Sequence, residues 1–96
     1  MRWGFKKLSQ MSNAEYDSVY NALSDSRKAH IDRMKIEDDK KRSLLASALI
    51  LELLKEEKVV GVTLETDENG RPFLKDSNVF ISISHSNEMV ACAVSD

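Results

Sequence analysis

The stretch Phe80-Ile81-Ser82-Ile83-Ser84-His85-Ser86-Asn87-Glu88-Met89-Val90-Ala91-Cys92-Ala93-Val94 decides how this chain folds. Phe80 to Ser86 is rich in β-branched and aromatic residues, Asn87 supplies a turn, and a second small-apolar run returns. That is the composition of two antiparallel strands, and it crowds Ser84, His85 and Ser86 at one end of a sheet. Neighbouring side chains on a strand point to opposite faces, so Ser84 and His85 cannot meet as nucleophile and base. A hydroxyl, a backbone N–H and an imidazole at a strand end suit a multidentate anion, and a bound phosphate favours the charged form of a nearby histidine. The same residues are also ordinary for a solvated hairpin end, and from these positions alone both readings stand.

Ahead of the hairpin the chain reads as one strand and three helices. Residues 2 to 8 form a short strand with Trp3 and Phe5 on one face. Ser12-Asn13-Ala14-Glu15 matches a capping box, and Tyr16, Val19, Tyr20 and Leu23 follow at helical spacing. Ser24-Asp25-Ser26 breaks that helix and caps a second, which turns Ile31 and Met34 inward and Arg27, Lys28, His30 and Arg33 outward. The third and longest helix runs from about Glu37 to Lys58. Its acidic start suits the positive helix end, and Leu44, Leu45, Ala48, Leu49, Leu51 and Leu54 give it a wide apolar face. Gly61 ends it, Val62 to Thr66 alternates like a strand, and Asp67-Glu68-Asn69-Gly70 is a turn signal followed by Pro72.

The order β, three helices, then an antiparallel β group predicts an α+β unit, a single domain over 1–96 with its sheet packed on the long helix. That packing is expected to bury Trp3, Phe5, Ile81, Ile83 and the leucines. With 96 residues there is room for one modest core, and a net charge of -2 with acids and bases interspersed excludes a strongly basic nucleic-acid surface. Cys92 is the single cysteine, so no disulfide forms within the chain, and its small apolar neighbours mark it as a buried hydrophobe. The N-terminus lacks the continuous apolar stretch of a secretory signal, and Leu44 to Leu54 is too short and interrupted to span a bilayer. A cytoplasmic protein without membrane contact is the expectation.

Three segments carry a resemblance: Asp38-Asp39-Lys40-Lys41-Arg42-Ser43-Leu44-Leu45, then Gly70-Arg71-Pro72-Phe73-Leu74, then Phe80 through Val94. In order and separation they resemble the N-terminal half of surfactin-synthetase-activating-type 4′-phosphopantetheinyl transferases, over most of the chain. Such enzymes move the phosphopantetheine arm of coenzyme A onto a serine of an apo acyl or peptidyl carrier protein and release 3′,5′-ADP, with magnesium as the usual cofactor. Phosphoryl transfer asks mainly for positioning and charge neutralisation, hence for a basic, donor-rich cleft.

The resemblance makes Ser84 and His85 contacts to the coenzyme A phosphates. It places Arg71 where the family has a basic residue reaching the phosphates and adenine region, and an arginine there keeps the charge and adds a planar fork. Arg27 and His30 fall where two basic residues hold the 3′-phosphate, and Arg42 and Ser43 match positions near the nucleotide. Read without the family, Arg71 is a solvated turn residue, and Arg42 is a solvated helix residue or the ion-pair partner of Asp38 or Asp39.

The family's magnesium carboxylates come from a Gly-x-Asp-x-Glu segment beyond the Cys-Ala-Val strand and from a later Trp-x-x-Lys-Glu segment. The sequence ends at Asp96, which lies too early for the first carboxylate, so neither a magnesium ligand nor a catalytic residue is assigned here. Intact members pair two similar halves around coenzyme A. A lone half is expected to expose a partner-facing surface that takes the C-terminal half or a second copy as a homodimer. Two functions remain: a transferase half inactive alone, or a noncatalytic coenzyme A or carrier-protein binding module acting as a dimer. A remnant that binds neither is the blander third.

Overall fold

Along the chain, the computed structural model has strand β1 (Arg2–Lys7), one 3-10 turn (Leu8–Gln10), and helices α1 (Asn13–Ala22), α2 (Asp25–Asp32) and α3 (Glu37–Glu56). Strands β2 (Thr63–Thr66), β3 (Pro72–Lys75), β4 (Phe80–His85) and β5 (Met89–Ser95) follow. Residues 1–95 are described; Asp96, and the expectation placed on it, lies outside the described residues. The α+β architecture is the expected one, with the antiparallel strands divided between a sheet of order β1-β5-β4 and a separate β2-β3 hairpin.

Local signals account for most of these elements. Ser12 accepts a hydrogen bond from the Glu15 N–H at 3.2 Å while the Glu15 carboxylate takes the Ser12 N–H at 3.3 Å, which is the reciprocal cap that starts α1. Ser24 stands at the start of α2 but does not cap it with its side chain. Its hydroxyl donates instead to the Leu64 carbonyl at 2.7 Å, and Ser26 Oγ accepts the Thr66 N–H at 3.0 Å, so the first turn of α2 is stitched to β2. The long helix stops at Glu56, ahead of the expected Lys58, because Lys58 takes a left-handed conformation (φ 57°) and breaks the helical path before Gly61 is reached.

Strand β5 is the centre of the larger sheet, and its burial alternates without exception: Val90, Cys92 and Val94 are buried beneath α3. Leu45, Ile50 and Val90 are completely buried where helix and sheet meet. Exposed ion pairs, Lys6 with Glu52 at 3.0 Å and Arg2 with Glu56 and Glu57 at 3.4 Å, tie β1 to α3 and contribute about 0–1 kcal/mol each.

Three burial expectations are overturned. Leu51, expected in the apolar face of α3, is 38% exposed, because Ile50 and Leu53 are the residues turned to the sheet. Trp3 and Phe5 share a face as expected, but it is the open one: they are 66% and 55% exposed, stacked on each other with ring centroids 6.3 Å apart. All of the covering comes from α3 on the other side, opposite Gly4 and the inward residues of β5, so the odd positions of β1 are left facing out. Arg27, expected to point outward, is 3% exposed. It lies on the side of α2 that faces α3 and β2, where three polar partners receive it.

Candidate phosphate-binding cavity

A cavity of about 440 Å³ opens where α2, the first half of α3, the β2-β3 turn and the end of β4 converge. Arg27, His30, Arg42, Ser43 and His85 line it, joined by Met34, Asp39 and the turn residues Gly70 and Pro72. Five of the seven residues singled out by sequence are therefore brought together from three separate elements.

The strand alternation that brings His85 to the cavity takes Ser84 away from it. His85 is paired with Val90 and shares the inner face of the sheet with Ile83, whereas Ser84 is paired with Ala91 on the outer face beside Trp3. Arg71 is exposed and does not line the cavity, although its neighbours Gly70 and Pro72 do. The turn that carries it is well fixed: Asp67 Oδ1 accepts the N–H groups of Asn69 and Arg71 at 2.9 and 2.8 Å, and Gly70 takes φ 82°. A Cβ on Gly70 would sit 3.4 Å from His30 Cε1, so the imidazole rests directly against this turn. Glycine meets both demands, the positive φ and the close ring.

The charges in the cavity differ in how far they are compensated. Arg42 is paired with Asp39 one helical turn earlier, and its Nη1 donates to the Asn87 carbonyl at 2.9 Å, tying α3 to the β4-β5 turn. Arg27 donates from Nε to Ser47 Oγ at 3.0 Å, from Nη1 to Thr66 Oγ1 at 3.2 Å and from Nη2 to the Ser43 carbonyl at 3.5 Å; among the described residues none of its partners is a carboxylate. Burial pulls its pKa below the ordinary guanidinium value. Burial likewise lowers the His30 pKa, with Arg27 and Arg33 pushing in the same direction. Among the described residues Arg27 is thus a cation without a carboxylate partner, beside an imidazole biased toward neutrality, a combination that attracts an anion.

The donor set does not fit a magnesium ion. Asp39 is the carboxylate that lines the cavity and it is engaged by Arg42, and among the described residues no group of three His, Cys, Asp or Glu side chains converges. Sequence reasoning missed Ser47 and Thr66, which hold Arg27. The available signal for Ser47 was its place four residues after Ser43 inside the leucine stripe of α3. For Thr66 no local signal exists, because its partner is 39 residues away.

Residues 9–96 match the family described as 4′-phosphopantetheinyl transferase, N-terminal. Among solved structures, the chain is similar to a holo-(acyl-carrier-protein) synthase from Bacillus anthracis str. Ames in complex with CoA (3′,5′-ADP). The two share 17% identity over 96% of this chain and 90% of that one, with a TM-score of 0.66, a likeness of fold. No curated protein matches the chain.

Proposed function

The chain belongs to the 4′-phosphopantetheinyl transferase N-terminal family, and from that premise we propose that its cavity binds the phosphates of coenzyme A for transfer of phosphopantetheine to an apo acyl or peptidyl carrier protein. The observation that carries this is Arg27, a buried cation with no acid partner among the described residues, on the wall of a cavity that also receives His30, Arg42 and His85. The complex of the similar solved synthase with CoA (3′,5′-ADP) supports the choice of ligand.

In this proposal Arg27 and His30 take the 3′-phosphate, and Arg42 and Ser43 lie beside the nucleotide. His85 contacts the diphosphate, and Arg71 reaches in from the rim. Ser84 contributes through its backbone at the strand end, because its side chain is on the other face of the sheet. In the transfer step the serine oxygen of the carrier forms a P–O bond to the phosphopantetheine phosphorus as the P–O bond to 3′,5′-ADP breaks. Magnesium supplies charge neutralisation in this chemistry when it is bound. The chain's own contribution is to hold the phosphates, and among the described residues no group of carboxylates assembles a metal site.

The open face with Trp3, Phe5 and Phe80 favours a partner body, a C-terminal half or a second copy, and a binding module acting as a dimer is the reading it supports beside the transferase half. Calorimetry of the chain with coenzyme A is expected to show binding. Intact-mass analysis of an apo carrier protein mixed with the chain, coenzyme A and magnesium is expected to show no adduct. Absence of binding would remove the coenzyme A assignment, and an adduct would show that the chain needs no further half.

A further inference from the structure

We infer that Ser47 and Thr66 are positioning residues that fix the Arg27 guanidinium for recognition of a phosphate monoester, the 3′-phosphate of the nucleotide, an inference that rests on the role proposed for Arg27. Arginine is seldom fully buried without an acid to pair with, and here two hydroxyls and one carbonyl stand in that place. Those neutral acceptors orient the group and leave its charge intact. The Cys92 thiol also interacts with Arg27, and burial pushes it up to about 11 and so keeps it neutral. Of the five N–H donors of a guanidinium, three are engaged among the described residues, which leaves two for a ligand.

The two hydroxyls are themselves constrained. Ser47 is completely buried among Leu44, Leu45 and Ile50 on α3, where an idle hydroxyl lowers stability. Its hydrogen goes to the Ser43 carbonyl at 2.8 Å, one turn earlier, which leaves its oxygen lone pairs as the acceptor for Arg27 Nε. Thr66 is held at the other end: its N–H donates to Ser26 Oγ, on the residue immediately before Arg27. One guanidinium is therefore gripped from α3 and from β2. A fork held in this way presents its free donors without the rotamer search that an exposed arginine would make on binding.

The test compares 3′,5′-ADP with 5′-AMP, which differ only by the 3′-phosphate, as calorimetric ligands of the full chain and of Ser47→Ala, Thr66→Val and Thr66→Ser variants. Ser47→Ala and Thr66→Val should each weaken 3′,5′-ADP about tenfold and leave 5′-AMP unchanged, as loss of one fixed contact to a charged group predicts. Thr66→Ser, which keeps the hydroxyl, should bind as the unmodified chain does. Equal weakening of both nucleotides, or an undiminished preference for 3′,5′-ADP in both hydroxyl-free variants, would overturn the inference while leaving the Arg27 assignment in place. If the unmodified chain shows no preference for 3′,5′-ADP, the Arg27 assignment itself fails and takes this inference with it.

Discussion

On the α3 side of the three-stranded sheet Val90, Cys92 and Val94 are buried, while on the opposite side Trp3, Phe5 and Phe80 are each more than half exposed. Both sets belong to one sheet, the buried one on the central strand β5 and the exposed one on its neighbours β1 and β4, and strand alternation sends them to opposite faces. His85 and Ser84 show the consequence most sharply, since adjacent residues with similar polar capacity face a charged cavity and an open apolar surface respectively. The proposed phosphate site and an exposed apolar surface thus lie back to back on one sheet, and the helix that covers one face decides which is which.

The largest expected contrast is in stability. Leu45→Ala, at a completely buried position, should lower the unfolding free energy by about 2–5 kcal/mol, whereas Phe80→Ala should stay within about 0.5 kcal/mol, both by urea denaturation. A comparable loss from Phe80→Ala would mean that the outer face is packed in solution and the contrast is false. Sedimentation equilibrium extends the test: if a second copy covers that face, Trp3→Ser with Phe80→Ser shifts the chain toward monomer. A chain already monomeric before substitution would remove a second copy as the occupant of that face.

Next in size is the contrast between neighbours on β4. His85→Ala should weaken coenzyme A about tenfold, Arg71→Ala less because that side chain is exposed at the rim, and Ser84→Ala within about twofold. Equal affinities for the unmodified chain and a His85→Ala, Arg71→Ala double variant would remove both side chains from the site. A loss at Ser84→Ala matching that of His85→Ala would show that the ligand wraps the strand end and reaches both faces.

How much of this was legible in the sequence follows from the range of the interactions. The capping box at Ser12 and Glu15 and the Asp67-to-Gly70 turn are each written within a few residues and form as read, while the leucine stripe of α3 forms with Ile50 and Leu53 inward and Leu51 turned out. Alternation in β1 correctly paired Trp3 with Phe5, but it carries no information on which side α3 will lie; that depends on the whole helix layer. Arg27 was legible as a candidate ligand contact and illegible as a buried residue. Its burial depends on Ser47 and Thr66, 20 and 39 residues further along, and no local pattern announces partners at that distance.

The smallest expected effect lies in pH, and it separates the two histidines of the cavity. His30 packs against the Gly70 turn and faces Arg27 and Arg33 from its own helix, while Asp39 and Arg42 on α3 and His85 on β4 complete the charged and titratable lining. Burial and the two arginines depress its pKa below the ordinary value of about 6.5, so the folded, ligand-free chain favours the neutral ring. The stability this contributes is present above about pH 6.5 and is lost as pH falls through the folded value, because the unfolded chain takes up the proton first. A bound phosphate reverses the bias by favouring imidazolium, so binding draws a proton onto His30 and strengthens as pH falls through that region. The ligand's own second phosphate ionisation, near 6, works in the opposite direction by removing charge from the anion. The informative quantity is therefore the affinity of the chain for 3′,5′-ADP divided by that of His30→Gln. It should rise about threefold from pH 7.5 to pH 5.5, a modest part of the tenfold that one pKa unit would give. A ratio that stays flat would mean that the phosphate does not approach His30.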